Sequence, residues 1–330
     1  MHAPDGFLNA GTAIATGAIS AGTIGAALRQ SRQQLADKQL PLAGLAAAFI
    51  FAAQMFNFPV AAGTTGHLLG GALAAILLGP FLGSLVVTVV VVVQSLAFAD
   101  GGLTALGYNV LNMAVVTAFG GYALFRLLRR VLPGNATGVI VATGLAAGLS
   151  VVLSAMAFSI EWLFGATAPV PFDTVFGAMV GVHLLIGVGE GIISAMAVGA
   201  VLAARPDLVY GVGDLDRAAL ADRPAPGMRG FVIAAALVAL LLAVVISQFA
   251  APSPDGLERV AQTTGFAASA EDHALSGSIF ADYATEGIAN QTLSLAVAGT
   301  VGVLITLAVA AGLLYAVHDR RRPARRRLTA

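Results

Sequence analysis

The sequence predicts an all-α polytopic membrane protein in which a seven-helix module is followed by a two-helix module. Of the 330 residues, 58% are hydrophobic and 10% are charged, whereas soluble domains carry about 25% charged residues. Nine apolar runs approach or exceed the length of about 20 residues that a helix needs to cross a bilayer. Cysteine is absent, which excludes disulfides and thiolate metal sites.

The first seven apolar runs precede residue 206 and define the first module, 1–205. They are 8–28, 41–58, 67–79, 81–98, 108–125, 137–160 and 176–204. The third run is short for a span and ends at Gly79-Pro80. It follows a polar stretch, 61–66, that is rich in glycine and threonine.

A polar segment with three prolines, 206–229, is predicted to be a cytoplasmic linker. The second module, 230–330, contains the spans 230–250 and 292–317 and, between them, an acidic extracytoplasmic loop, 251–291. It ends in an arginine-rich tail, which we interpret as an anchor against anionic lipid.

Lysine and arginine concentrate in the cytoplasmic loops of membrane proteins. With nine spans, placing the C-terminus inside and the N-terminus outside leaves only Arg259 on the outer side. We therefore expect a multi-pass protein of the cytoplasmic membrane. The formal net charge of zero gives no sign of nucleic-acid binding.

The first two residues can form a metal chelate. The α-amine of Met1, the amide nitrogen of His2 and the Nδ1 atom of His2 fill three corners of a square, provided that Met1 is retained and nothing precedes it. The predicted topology brings His67 to the same outer side, where it could supply the fourth nitrogen. Square-planar nitrogen ligation suits Ni(II) or Cu(II), and binding would release protons. The alternative is that His2 is a frayed terminal residue.

Other polar residues in or near the spans are candidates for supporting roles. Asn57, Thr64 or Thr65 could orient the His67 imidazole by a hydrogen bond, although helix–helix hydrogen bonds would also explain them. His183 and Glu190 are seven residues apart and share a helix face. They could form a second metal site, a proton relay or a buried structural pair.

Two enzyme classes lack their motifs. A Walker A loop requires Gly-Lys followed by Ser or Thr, and the only lysine, Lys38, lies in Ala-Asp-Lys-Gln-Leu. The zinc-protease motif His-Glu-x-x-His is also absent. We therefore expect no enzymatic activity, and ATP-driven work would need a partner.

Four motifs in the first module resemble a known family. They are Met-His-x-Pro-Asp-Gly-Phe at 1–7, Asn-Phe-Pro-Val-x-x-Gly-Thr-Thr-Gly-His-Leu-Leu-Gly at 57–70, Gln-x-Leu-x-Phe-x-Asp-Gly-Gly-Leu at 94–103 and Gly-x-Gly-Glu-Gly at 187–191. Together they are similar to the substrate-binding membrane component (CbiM/NikM) of cobalt/nickel energy-coupling factor (ECF) transporters. The second module resembles the two-span companion subunit (CbiN-like), through Pro-Asp-Gly-Leu-Glu at 254–258.

The resemblance implies a transport function and a set of partners. It implies that Met1, His2 and His67 hold a transported Ni²⁺ or Co²⁺ ion that is not a permanent cofactor. It also implies a transmembrane coupling subunit (CbiQ/NikQ-like) and two cytoplasmic ATPase subunits (CbiO/NikO-like). The loop before His67 is closer to nickel-type sequences. The alternatives are a stand-alone metal permease or proton-coupled carrier that uses His183 and Glu190, and a membrane scaffold without metal.

Overall fold

Helices account for nearly all the regular structure of the computed structural model, which describes residues 1–34, 39–61, 63–213 and 226–319. The helices of the first module are α1 (Ala10–Gln34), α2 (Gln39–Gln54), α3 (Gly71–Leu78), α4 (Pro80–Phe98), α5 (Leu106–Asn109), α6 (Thr117–Leu128), α7 (Ala136–Gly165) and α8 (Phe172–Ala204). A π-helical turn, Val110–Val116, joins α5 to α6. The second module contributes α9 (Met228–Val244), α10 (Gly256–Thr264) and α11 (Gln291–Asp319).

The chain is a multi-pass membrane protein. Within the described ranges, seven helical stretches are long and apolar enough to cross a membrane, and α2 is a shorter apolar helix of 16 residues. The helical fold class predicted from composition is therefore confirmed. Part of the predicted linker, 214–225, and the arginine-rich tail, 320–330, lie outside the described residues. The orientation of the termini stays a prediction.

The predicted third span does not form a complete transmembrane helix. Of the run 67–79, only Gly71–Leu78 is helical, and eight residues rise about 12 Å, well short of a bilayer. The chain before α3 is non-helical and largely buried: Thr65, Leu68 and Leu69 are at most 2% exposed. Irregular backbone at membrane depth is tolerated only where protein or a cavity surrounds it, and here protein does.

Two further differences concern the loops. The stretch before His67 forms a short two-stranded antiparallel ladder, β1 (Phe58–Pro59) with β2 (Thr65–Gly66). The acidic loop of the second module contains the short helix α10, whose first turn is capped by the side chain of Asp255. That side chain accepts a hydrogen bond from the Glu258 amide, 2.8 Å.

The two modules pack together along their helices and at one end. Helix α2 lies against both α9 and α11, where Gly44 allows close approach to Leu307. At the end that carries the N-terminus, the β1–β2 ladder is tied to the loop of the second module. The Ala251 amide donates to the Asn57 carbonyl, 2.8 Å, and the Thr65 amide to the Pro254 carbonyl, 2.9 Å. The second module therefore covers the N-terminal region of the first.

Candidate metal centre

The N-terminal segment, residues 1–8, is docked inside the protein. Met1, Ala3 and Phe7 are 6%, 1% and 3% exposed. The Ala3 amide donates to Asn109 Oδ1 and the Ala3 carbonyl accepts from Asn109 Nδ2, each at 2.9 Å. The same carbonyl accepts from the Gly102 amide, 3.0 Å. These bonds fix the backbone that carries the predicted donors.

Asp5 anchors the segment to the loop between α4 and α5. Its carboxylate accepts hydrogen bonds from the amides of Leu103 and Thr104, at 3.1 and 2.7 Å, and from the Thr104 hydroxyl. Helix α5 follows directly, so Asp5 satisfies amides at the start of a helical region that would otherwise lack partners. Gly102 is required here because a Cβ atom would collide with the Asp5 backbone.

The structure brings Met1, His2 and His67 together. The Met1 amine lies 2.5 Å from His67 Nε2. The His2 and His67 rings are stacked, with centroids 5.2 Å apart and an angle of 22° between their planes. In the described ranges, no cluster of three His, Asp or Glu side chains could hold a metal ion, so a metal site here depends on main-chain nitrogen.

The hydrogen bond made by His67 leaves its Nε2 atom with a lone pair that could bind a metal ion. Its Nδ1 atom lies 3.1 Å from the Leu68 carbonyl, to which an Nδ1–H group donates. Nε2 then carries a lone pair directed at the Met1 amine. The loop that holds His67 is clamped by Glu190, whose carboxylate accepts from the amides of Leu69 and Gly70 at 2.6 and 2.9 Å.

Asp255 in the second module also contacts the amine. Its Oδ2 atom lies 2.5 Å from the Met1 amine and 3.6 Å from His67 Nε2. Burial raises the pKa of Asp255, but the Met1 ammonium outweighs this effect and holds the pKa well below its usual range. A buried cation and anion therefore face each other across the two modules.

His2 has its own set of partners. Its Nε2 atom lies 3.0 Å from Gln94 Oε1, and its Nδ1 atom lies 3.4 Å from Asp100 Oδ1. Burial lowers the pKa of His2 to about 4, against the opposing effect of Asp100. The imidazole is thus neutral at physiological pH, which is the form that binds metals.

The residues predicted to orient His67 have other positions. Thr65 donates its hydroxyl to the Ser253 carbonyl, 2.9 Å, and the Thr64 carbonyl accepts from the Val60 amide. Asn57 lines a cavity beside His67, and its Oδ1 atom has no hydrogen-bond partner among the described residues. The structure assigns the orienting contact to the Leu68 carbonyl instead.

His183 and Glu190 do not form a pair. The His183 Nδ1 atom lies 2.7 Å from the Met179 carbonyl, and the ring packs against Gly256, next to Asp255. Glu190 binds the backbone of the His67 loop instead. His183 thus packs beside Asp255, and Glu190 holds the loop that carries His67.

A cavity of about 560 Å³ opens beside the two stacked histidines. Its lining combines both modules, with Asp100 from the first module and Asp255, Glu258 and Asp282 from the second. The side-chain Oε1 atom of Gln54, another lining residue, has no hydrogen-bond partner among the described residues. The cavity offers oxygen acceptors next to the nitrogen donors, an environment suited to a hydrated cation.

Sequence reasoning missed the contacts made by the second module. The Pro-Asp-Gly-Leu-Glu motif at 254–258 was noticeable, but nothing in the spacing showed that Asp255 would reach the amine of Met1. The same is true of Tyr283, which hydrogen bonds to Asp100 and Gln94. Both are contacts over more than 180 residues of chain.

Two family models match the chain, one for each module. Residues 2–208 match the family described as the cobalt uptake substrate-specific transmembrane region. Residues 229–319 match the PDGLE domain.

Individual relatives cover either one module or both. A protein of Archaeoglobus fulgidus, named as a fused nickel transport protein, is 34% identical over 94% of this chain and 96% of its own length. A metal transport protein of Haloquadratum walsbyi is 44% identical over 64% of this chain and 94% of its own. A crystal structure of a truncated transition metal transporter superimposes with a TM-score of 0.54, with 30% identity, over 61% of this chain and 98% of that one.

Proposed function

The chain belongs to the cobalt uptake substrate-specific transmembrane family, and from this membership we propose that it captures Ni²⁺ or Co²⁺ for uptake in a four-nitrogen site at its N-terminus. The match covers residues 2–208. The observation that carries the proposal is the 2.5 Å approach of the Met1 amine to His67 Nε2, beside the stacked ring of His2.

The proposed donors are the Met1 amine, the His2 amide nitrogen, His2 Nδ1 and His67 Nε2. The first three close adjacent chelate rings along one stretch of backbone, and His67 completes the square. Such a plane suits Ni(II). The amine and amide must give up protons when the ion binds, and the ion then takes the place of the ammonium proton opposite Asp255.

Two features of the second module favour a role for it in capture: the contacts of Asp255 and the carboxylates that line the cavity. Asp255 faces the amine and His67, so the ammonium–carboxylate pair must rearrange as the ion enters. Four carboxylates line the cavity that leads to the donors, and such clusters raise the local concentration of cations. We therefore assign the two-helix module to loading of the site.

Release to the other side requires energy that the chain has no motif to supply. The sequence contains no Walker A loop, so we propose that a transmembrane coupling subunit and two cytoplasmic ATPases drive transport. The transported ion is substrate and leaves with each cycle. We favour nickel, since the relative from Archaeoglobus fulgidus that spans both modules is named for nickel.

The deciding experiment compares purified protein with its native N-terminus and a version with two residues added before Met1. A matched control carries the same two residues after Ala330. We expect the native and control proteins to bind one Ni(II) with a square-planar absorption band, and the N-terminal extension to abolish that band. Equal binding by all three would move the site elsewhere.

A transport assay separates the proposal from a stand-alone carrier. In vesicles that lack ATPase partners, we expect no accumulation of ⁶³Ni, with or without a proton gradient. Gradient-driven uptake that Glu190→Gln abolishes would favour the carrier instead, because that reading makes Glu190 a proton-relay group.

A further inference from the structure

Tyr283 of the second module ends a chain of hydrogen bonds that reaches His2. Its hydroxyl lies 2.6 Å from Asp100 Oδ2 and 3.0 Å from Gln94 Nε2. The other end of the Gln94 amide, Oε1, lies 3.0 Å from His2 Nε2. Three side chains of the first module are thus linked through one hydroxyl of the second.

The direction of each bond follows from the carboxylate. An ionised Asp100 can only accept, so the Tyr283 hydroxyl must donate its single proton there. The Tyr283 oxygen then accepts from the amide nitrogen of Gln94, and the Gln94 oxygen must face His2. His2 therefore donates from Nε2, and its Nδ1 atom has no proton.

The opposite arrangement leaves a conflict. If the Gln94 amide were flipped, its oxygen would face the Tyr283 hydroxyl, which would then have two acceptors for one proton. Either the 2.6 Å contact with Asp100 or the 3.0 Å contact with Gln94 would then have no hydrogen atom between its two oxygens. The 3.4 Å separation of His2 Nδ1 from Asp100 Oδ1 is longer than an ordinary hydrogen bond, in agreement with an Nδ1 atom that carries no proton.

Tyr283 is held in place at a cost in backbone energy. Asp282 and Tyr283 both have left-handed backbones, with φ of 53° and 57°, a conformation that is unfavourable for residues other than glycine. The ring stacks on Phe98, with centroids 5.0 Å apart and 21° between planes. Such strain persists where surrounding contacts over-determine the position.

We propose that Tyr283 is a positioning residue that fixes His2 as its Nε2–H tautomer, through Gln94, and so keeps Nδ1 free to bind the metal. The consequence for metal binding rests on the proposed function, but the tautomer itself does not. In this way the two-helix module positions His2 of the first module through Gln94, without a direct hydrogen bond from Tyr283 to His2.

The first test reads the tautomer in the metal-free protein. Samples labelled with ¹⁵N-histidine report which ring nitrogen carries the proton, and His2→Gln identifies the His2 signals. The parent should show His2 protonated at Nε2, and Tyr283→Phe, which keeps the stacked ring, should give a mixture of tautomers. Tyr315→Phe is the control, since Tyr315 is 58% exposed on α11. An unchanged tautomer in Tyr283→Phe would overturn the proposal.

The second test asks whether Gln94 transmits the effect. Orienting partners of metal-bound histidines are worth about 10–100-fold in affinity, so Tyr283→Phe should weaken Ni(II) binding by at least about 10-fold. In a Gln94→Glu background both oxygens accept, so His2 keeps its Nε2–H acceptor whatever Tyr283 does. There Tyr283→Phe should change affinity less than about 2-fold.

The two tests fail in different ways. Equal losses in both backgrounds would show that Tyr283 acts only on packing and would overturn the proposal. If the tautomer responds as expected but the N-terminal extension leaves Ni(II) binding intact, the positioning by Tyr283 stands and the proposed capture site is wrong.

Discussion

Burial keeps the imidazole of His2, one of the proposed metal donors, in its neutral form. The His2 side chain is 7% exposed, and desolvation holds its pKa at about 4 although Asp100 lies nearby. The ordinary value is about 6.5. Between these two values an undocked N-terminal segment takes up a proton that the docked segment does not.

This difference predicts that docking of residues 1–8 weakens as the pH falls from about 6.5 towards 4. The loss is about 2 kcal/mol at pH 5, or about 30-fold in the docking equilibrium. Hydrogen-exchange protection of this segment in metal-free protein, compared at pH 7.5 and 5, measures it. His2→Phe should remove the pH dependence. A parent protein with equal protection at both pH values would contradict the burial argument.

The proposed donors were identifiable from sequence, since a terminal amine followed by histidine can form a chelate by covalent geometry alone. The groups that orient them were not. The Leu68 carbonyl accepts from His67, a contact that every residue type could make through its backbone. Asp255 and Tyr283 depend on how two modules pack, and no local pattern encodes that packing.

At the scale of elements, the anchor between the N-terminal segment and the loop after α4 decides whether the donors meet. Asp5 accepts four hydrogen bonds from residues 103–105, and its carbonyl pairs with the Glu271 amide at 2.9 Å. Asp5 by itself thus bonds the N-terminal segment to both modules.

Replacing Asp5 with alanine should release the N-terminal segment. The buried amides of the loop would lose their acceptor, at a cost of about 1–3 kcal/mol each when left unsatisfied. We expect a lower midpoint of thermal unfolding and Ni(II) binding weaker by at least 10-fold. Asp173→Ala, at an exposed carboxylate in the first turn of α8, is the control. If both variants behaved alike, Asp5 would not be the anchor.

The start of the predicted third span, 67–70, shows where hydropathy fails as a guide. Its apolar and small residues favour a span, but Gly70 has a φ of 79° and the backbone binds Glu190 instead of forming helical turns. A carboxylate more than 100 residues away thus replaces the helix's own hydrogen bonds. Apolar run length predicts burial in lipid or protein alike, and only the tertiary contacts distinguish them.

For the whole molecule, the contacts between modules predict that the covalent connection is dispensable. Helix α2 packs against α9 and α11, and the N-terminal end adds the Asp255, Tyr283 and Glu271 contacts. The relative from Haloquadratum walsbyi matches 64% of this chain over 94% of its own length, so a chain close in size to the first module exists alone.

A chain cut between residues 213 and 226 should therefore reassemble. Residues 1–213 and 226–330, co-expressed with a tag on the second piece, are expected to co-purify and to bind Ni(II) like the intact protein. Asp255→Asn combined with Tyr283→Phe in the tagged piece should weaken the association. Recovery of the tagged piece without its partner would show that the linker holds the modules together.

The 2.5 Å contact between Met1 and Asp255 spans 254 residues of sequence, and this sets an order of events during synthesis. Met1 must wait for a partner that is translated 254 residues later. Until residues 251–290 have been made and have folded, the amine lacks its contact with Asp255, and Gln94 lacks its contact with Tyr283. The proposed capture site is thus begun first and finished last, because two of the groups around it belong to the second module.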